Sequence, residues 1–142
     1  MRDRIFINLA MRDSIKEWDE KNTLGLHFLE AKDEFLLAVA LGLNNPEDIK
    51  GKKDGYFLLK NVKTYDKALF ASILLGKPEN SDEVDKYANA DVNYNESERC
   101  AESGFKKLKE FIDRANGDQE LLEKQAMTEL KLLYERNVGS NQ

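Results

Sequence analysis

The apolar positions fall into a succession of short periodic segments. Residues 4–9 (RIFINL) alternate between polar and apolar and are rich in β-branched and aromatic side chains, which predicts a short strand. Met11, Ile15 and Trp18 then recur at helical spacing over 10–21, against a charged opposite face. Asn22-Thr23-Leu24-Gly25 supplies a stop. Residues 30–43 form the most apolar stretch, with Ala38 and Ala40 as small spacers. Its length and Ala/Leu content predict a helix, and apolarity all round predicts the central buried one.

Asn44-Asn45-Pro46 ends that segment. A Lys/Gly loop follows over 50–55, then Tyr56–Leu59, an apolar run too short to divide between helix and strand. Thr64 is expected to cap a helix bearing Tyr65, Ala68, Leu69, Ile73 and Leu74, closed by Gly76-Lys77-Pro78. A short acidic helix is expected from Ser81, a polar turn at 91–95, and a strongly periodic helix over 96–115 with Ala101, Phe105, Leu108, Ile112 and Ala115 in one stripe. Asn116-Gly117-Asp118 punctuates the chain. The last helix then runs to about Arg136, with Leu122, Ala126, Met127, Leu130, Leu133 and Tyr134 inward, ahead of a polar tail at 137–142. The fold expected is mainly α: one domain over 1–136, a bundle of five to six helices with a short N-terminal strand.

Composition sharpens this. At 142 residues, a core can form without disulfide or metal. The single cysteine, Cys100, has no partner in the chain, and the first apolar run is too short for a secretion signal, so a cytoplasmic location is expected. No run is long enough to predict a membrane span. The net charge of −5 is unevenly spread: residues 50–67 carry six lysines against two aspartates, between acidic segments on either side.

Sequence chemistry points away from catalysis. One histidine, His27, excludes His-based metal clusters, and neither Cys100 nor His27 lies in a local nucleophile motif. The loop at 50–55 lacks the spacing of a phosphate loop. Residues 91–102 place oxygen-bearing side chains as in a calcium loop but carry Glu96 where the turn needs Gly. Asn95 or Ser97 is read instead as the cap of the 96–115 helix. Glu30, Asp33 and Glu34 are read as favouring the N-terminal dipole of the 30–43 helix, and no carboxylate is expected in an apolar setting. The expectation is a non-enzyme with no metal and no cofactor.

Two surfaces are candidates for partners. Arg2, Arg4 and Asn8 are expected on one face of the strand, with Ile5, Ile7 and Leu9 on the other. Strand 4–9 with helices 10–21 and 30–43 resembles the ribbon-helix-helix DNA-binding proteins. That resemblance implies a homodimer laying paired strands in the major groove, with Arg2, Arg4 and Asn8 on bases. The second surface is Lys50, Lys52, Lys53, Lys60, Lys63 and Lys67, interleaved with Tyr56, Phe57 and Tyr65, which suits nucleic acid or an acidic protein. Across 35–77, FLLAVALGL, KGKKDGYFLL and TYDKALFASILLGK together resemble small accessory proteins encoded beside prokaryotic DNA phosphorothioation (Dnd) and related phage-defence systems. That resemblance implies an accessory role with a protein partner. The alternatives are a dimeric DNA-binding regulator and an acidic phage-encoded inhibitor.

Overall fold

The computed structural model describes residues 2–21 and 30–139, so His27 and the stop at 22–25 lie outside the described residues. The element order is β1 (Arg4–Asn8), α1 (Leu9–Lys21), α2 (Ala31–Gly42), β2 (Lys53–Leu58), α3 (Thr64–Leu75), α4 (Val84–Ala88), α5 (Ala90–Ala115) and α6 (Gln119–Gly139). The fold is mainly α, with six α-helices among the described residues and one two-stranded antiparallel sheet.

The undecided segment 56–59 is resolved by pairing. Tyr56, Phe57 and Leu58 join Lys53, Asp54 and Gly55 in β2, which runs antiparallel to β1 with Asn8 opposite Lys53 and Arg4 opposite Leu58, while Leu59 opens a short 3-10 turn. Half of the expected loop is therefore strand, because β1 supplies hydrogen-bond partners that no local pattern announces. Ile5 and Ile7 point into the core as the alternation predicts. Leu9 does not join them: it opens α1 and is 37% exposed. Asn8 makes that switch by accepting the Ala10 N–H through its side-chain oxygen at 2.9 Å, an N-cap bond.

The centre of the molecule is the crossing of α2 on α5. Phe35, Ala38, Val39 and Leu41 of α2 are fully buried, against Cys100, Ala101, Phe105 and Leu108 of α5. Two glycines let the backbones touch. A Cβ on Gly42 would stand 1.8 Å from the Cys100 carbonyl oxygen, and one on Gly104 would stand 1.7 Å from that of Ala38. Glycine inside a helix costs about 1 kcal/mol against alanine, so its use here is set by contact and not by propensity. Phe35 extends this core edge-on to Phe57 and Phe70, at 5.4 and 5.5 Å between ring centres.

Five expectations are corrected. α5 starts at Ala90 and not at 96, so 91–95 is helix and not a turn. Its cap is Asn89, which accepts from the Val92 N–H, and neither Asn95 nor Ser97 serves. Apolar periodicity is absent from this first turn because its buried residue is polar: Asn93 donates to the Lys67 and Tyr87 carbonyls and accepts from Ser97. Thr64 is the first helical residue of α3 and not its cap. The Lys63 N–H is satisfied instead by Asp66, at 2.9 Å. Met127 and Tyr134 of α6 point outward, at 70% and 68% exposure, whereas Leu122 and Leu133 are buried as expected. The last helix also continues past Arg136 through Gly139.

Candidate functional site

The sequence-derived residues separate into used and unused groups. Arg2 grips Glu98 of α5 with two guanidinium nitrogens, at 2.7 and 3.0 Å. The same carboxylate accepts the Phe6 N–H at 2.6 Å, on the β1 edge that faces away from β2. One edge of β1 is thus paired within the chain and the other meets a buried side chain. Arg4 lies across Gly55 and pairs with neighbouring Asp3 at 3.1 Å. Asn8 donates to the Lys50 carbonyl besides capping α1. Tyr56 is 7% exposed and stacks edge-on with Phe105 at 5.9 Å, so its ring belongs to the core and is closed to base stacking.

The basic segment divides because β2 runs through it. Lys50, Lys52 and Lys53 lie at the end of the ribbon beside Asn8, whereas Lys60 and Lys63 lie beyond its other end, before α3. Five intervening strand residues separate the groups by roughly 17–20 Å. All five lysines are exposed. Among the described residues none of them shows an ion pair. Lys67 is only partly exposed and donates to the Ala88 carbonyl at 3.2 Å.

Sequence reasoning missed two features. The first is an uncharged face. Tyr65, Ala68, Leu69, Ser72, Ile73 and Gly76 recur at helical spacing on the side of α3 away from buried Phe70 and Leu74. Tyr65 and Leu69 are 62% and 43% exposed. The charged residues of this helix do not reach that face: Asp66 is buried and paired with Lys32 at 2.9 Å. Burial alone would raise the Asp66 carboxyl, but the Lys63 N–H and the Lys32 ammonium outweigh it and hold it below the usual range. Towards its C-terminus the α3 face borders α6 across a groove of about 270 Å³, lined by Ile73, Gly76, Leu130, Tyr134 and Val138. The available signal was composition, since the run from Ala68 to Gly76 holds no charged residue.

The second is Glu34, on the first turn of α2. It was read as a dipole-favouring surface acid, yet it is 3% exposed. Its Oε2 atom and the Tyr56 hydroxyl are both buried without a well-aligned hydrogen bond. Loss of hydration, then the nearby Asp19 of α1, push its pKa up from 4.5 to about 8; Tyr56 and Arg12 oppose the shift. The expectation of no carboxyl in an apolar setting is therefore overturned. The cause is tertiary: α1 and β2 close over a position that the sequence places at a helix start.

Cys100 is buried between α2 and α5, and loss of solvent pushes its thiol up to about 12. Residues 91–102 lie within continuous α5 helix, without the turn of a calcium loop. Among the described residues, no helix is long and apolar enough to cross a membrane, and no cluster of three or more metal-binding side chains occurs. No protein-family model, curated protein or solved structure matches the chain.

Proposed function

We propose that this chain is a non-enzymatic interaction protein that accepts an amphipathic helix of a larger partner along α3. The observation that carries this reading is the uncharged face of Tyr65, Ala68, Leu69, Ser72, Ile73 and Gly76, left open beside the α6 groove. Contiguous apolar surface of this kind marks interaction sites in soluble domains. The face from Tyr65 to Gly76 is about three turns long, roughly 16 Å, which matches the helix-in-groove mode of recognition.

The charge around it selects the occupant. Lys60 and Lys63 stand exposed before the N-terminus of α3, next to Tyr65. A partner helix with acidic residues at that end would neutralise them and leave its apolar stripe on Leu69 and Ile73. The resemblance of residues 35–77 to accessory proteins of DNA-modification and phage-defence systems makes a larger component of such a system the first partner to test.

The experiment is a photo-crosslinking residue at Leu69 in the producing cell, with the same residue at exposed Lys124 as control. The reading expects one defined adduct at Leu69, absent at Lys124, lost with Ile73→Glu and weakened by Lys60→Glu/Lys63→Glu. No adduct at Leu69, or the same adduct at both positions, overturns it. Hydrolytic turnover by the purified protein, abolished by changing Cys100, His27 or Glu34, would overturn the non-enzymatic reading.

A further inference from the structure

The outer face of the β1–β2 ribbon holds an aromatic ring and three charges that no role above uses. Ile5 and Ile7 fill the core, so Phe6 between them projects from the opposite face. Phe6 is half-buried, and among the described residues it is not one of those packed into or against the hydrophobic core. Its partner across the ribbon is Gly55, while Tyr56, the extra residue of the bulge, turns to the core. With no Cβ at position 55, the stem of Arg4 lies on that spot, its Cδ 2.7 Å from where a Gly55 Cβ would stand. The next outward pair is Asn8 opposite Lys53, two residues and about 7 Å along β1 from Phe6.

The lysines at this end are held out from a fixed backbone. The Lys50 carbonyl accepts from the Asn8 side chain and the Lys52 carbonyl from the Leu9 N–H, both at 2.9 Å. Gly51 makes the turn between them at a φ of 81°. Lys50, Lys52 and Lys53 are exposed, and the nearby acids are engaged or turned inward. Asp48 pairs with Arg99 at 2.9 Å, Asp3 pairs with Arg4, and Asp54 lies opposite Ile7 on the inner face. A chain of net charge −5 thus carries uncompensated positive charge at one end of its ribbon.

We propose that the outer face of the ribbon binds a single-stranded nucleic acid, with one base stacked on Phe6 and the flanking phosphates on Lys50, Lys52 and Lys53. Positive charge beside an open aromatic ring suits a strand whose bases are unstacked. The ring favours this ligand over an acidic protein, and a duplex has no free base to offer it. Asn8 spends both ends of its amide on the Lys50 carbonyl and the Ala10 N–H, so it cannot read a base edge and sequence preference is weak. The site does not depend on the α3 docking reading, because Lys60 and Lys63 lie beyond the far end of the ribbon.

The test is fluorescence anisotropy of a labelled oligothymidylate of about 12 nucleotides titrated with the full chain. Duplex of the same length and polyglutamate serve as competitors, and both should displace the strand poorly. Log affinity is expected to fall against log salt concentration with a slope of about −2, as three phosphate contacts on a single strand give. Phe6→Ala should weaken binding at least about fivefold with β1 amide protection unchanged, and Phe6→Tyr should restore it. Lys52→Glu/Lys53→Glu should abolish binding, whereas Lys60→Glu/Lys63→Glu, at the docking surface, should leave it intact. The proposal is overturned by absence of binding at low salt, by unchanged affinity in Phe6→Ala, or by polyglutamate competing as well as unlabelled oligothymidylate. A loss with Lys60→Glu/Lys63→Glu as large as with Lys52→Glu/Lys53→Glu also overturns it.

Discussion

The α2–α5 crossing and the α3–α6 side are both built from apolar helices, and they end in opposite states. At the first, Ala38 and Gly42 meet Cys100 and Gly104, and the backbones approach until no side chain fits between them. At the second, Leu69, Ile73, Leu130 and Tyr134 keep full-sized side chains, and a groove of about 270 Å³ stays open between the helices. Apolarity alone therefore did not decide which surface closed. Small residues at matching intervals of four on both helices did, because they remove the spacer that otherwise keeps helix axes about 8–10 Å apart.

The largest expected effect comes from breaking the tight side. Gly104→Val should destabilise the chain by roughly 4 kcal/mol or more, read as the midpoint of denaturant unfolding, because its Cβ meets the Ala38 backbone and not a flexible side chain. If the variant unfolds like the native chain, the account of the crossing is wrong. Glu98→Ala comes next, at about 3 kcal/mol, since it leaves the Phe6 N–H without its acceptor and removes the carboxylate that pairs with Arg2, which keeps only Asn95. Its readout is loss of amide protection in β1 ahead of α5.

Glu34→Gln should act in the opposite direction, and only over part of the pH range. The folded-state pKa is raised from 4.5 to about 8, so the carboxyl's stabilising contribution is complete below 4.5 and is lost as pH rises to about 8. The glutamine variant should thus gain up to about 4 kcal/mol over the native chain at pH 8 and little at pH 4.5, measured by denaturant unfolding at both values. Equal differences at the two pH values would contradict a neutral buried Glu34.

The smallest effect on stability belongs to the open face. Leu69→Glu should change unfolding free energy by less than about 1 kcal/mol, because Leu69 is 43% exposed and leaves the core intact, whereas Ile73, partly buried against the core, should cost more when changed to Glu. Ile73→Glu should abolish the crosslinked adduct. A destabilisation by Leu69→Glu as large as that of Gly104→Val would mean the two regions do not differ in the way described.

Much of the scaffold was readable before any coordinates. The α1 pattern of Met11, Ile15 and Trp18, the apolar α2 and the stripe through Ala101, Phe105 and Leu108 all lie where periodicity predicts helices. The candidate residues were less readable. Arg2, Asn8 and Tyr56 have the chemistry of a binding surface but are held by Glu98, by the start of α1 and by Phe105. Their side chains are suited to recognition and to internal bonding alike, and only proximity distinguishes the two. Lys60 and Lys63 remained available because α3 starts beside them with its own acid, Asp66, already taken by Lys32.

The sequence by itself determined most of the helical spans, the central position of α2 and the uncharged run from Ala68 to Gly76, since these depend on spacing and composition within one segment. The tertiary structure alone decided which side of an all-apolar helix stays open, where β2 finds its partner, and that Glu34 loses its water. Each of those outcomes turns on residues far apart in the chain: Ala38 against Gly104, Asn8 against Lys53, Glu34 against Asp19 and Tyr56. Periodicity reports how a helix divides its own surface, and a helix that is apolar all round carries no such division. Its open face is set by what the rest of the chain leaves uncovered.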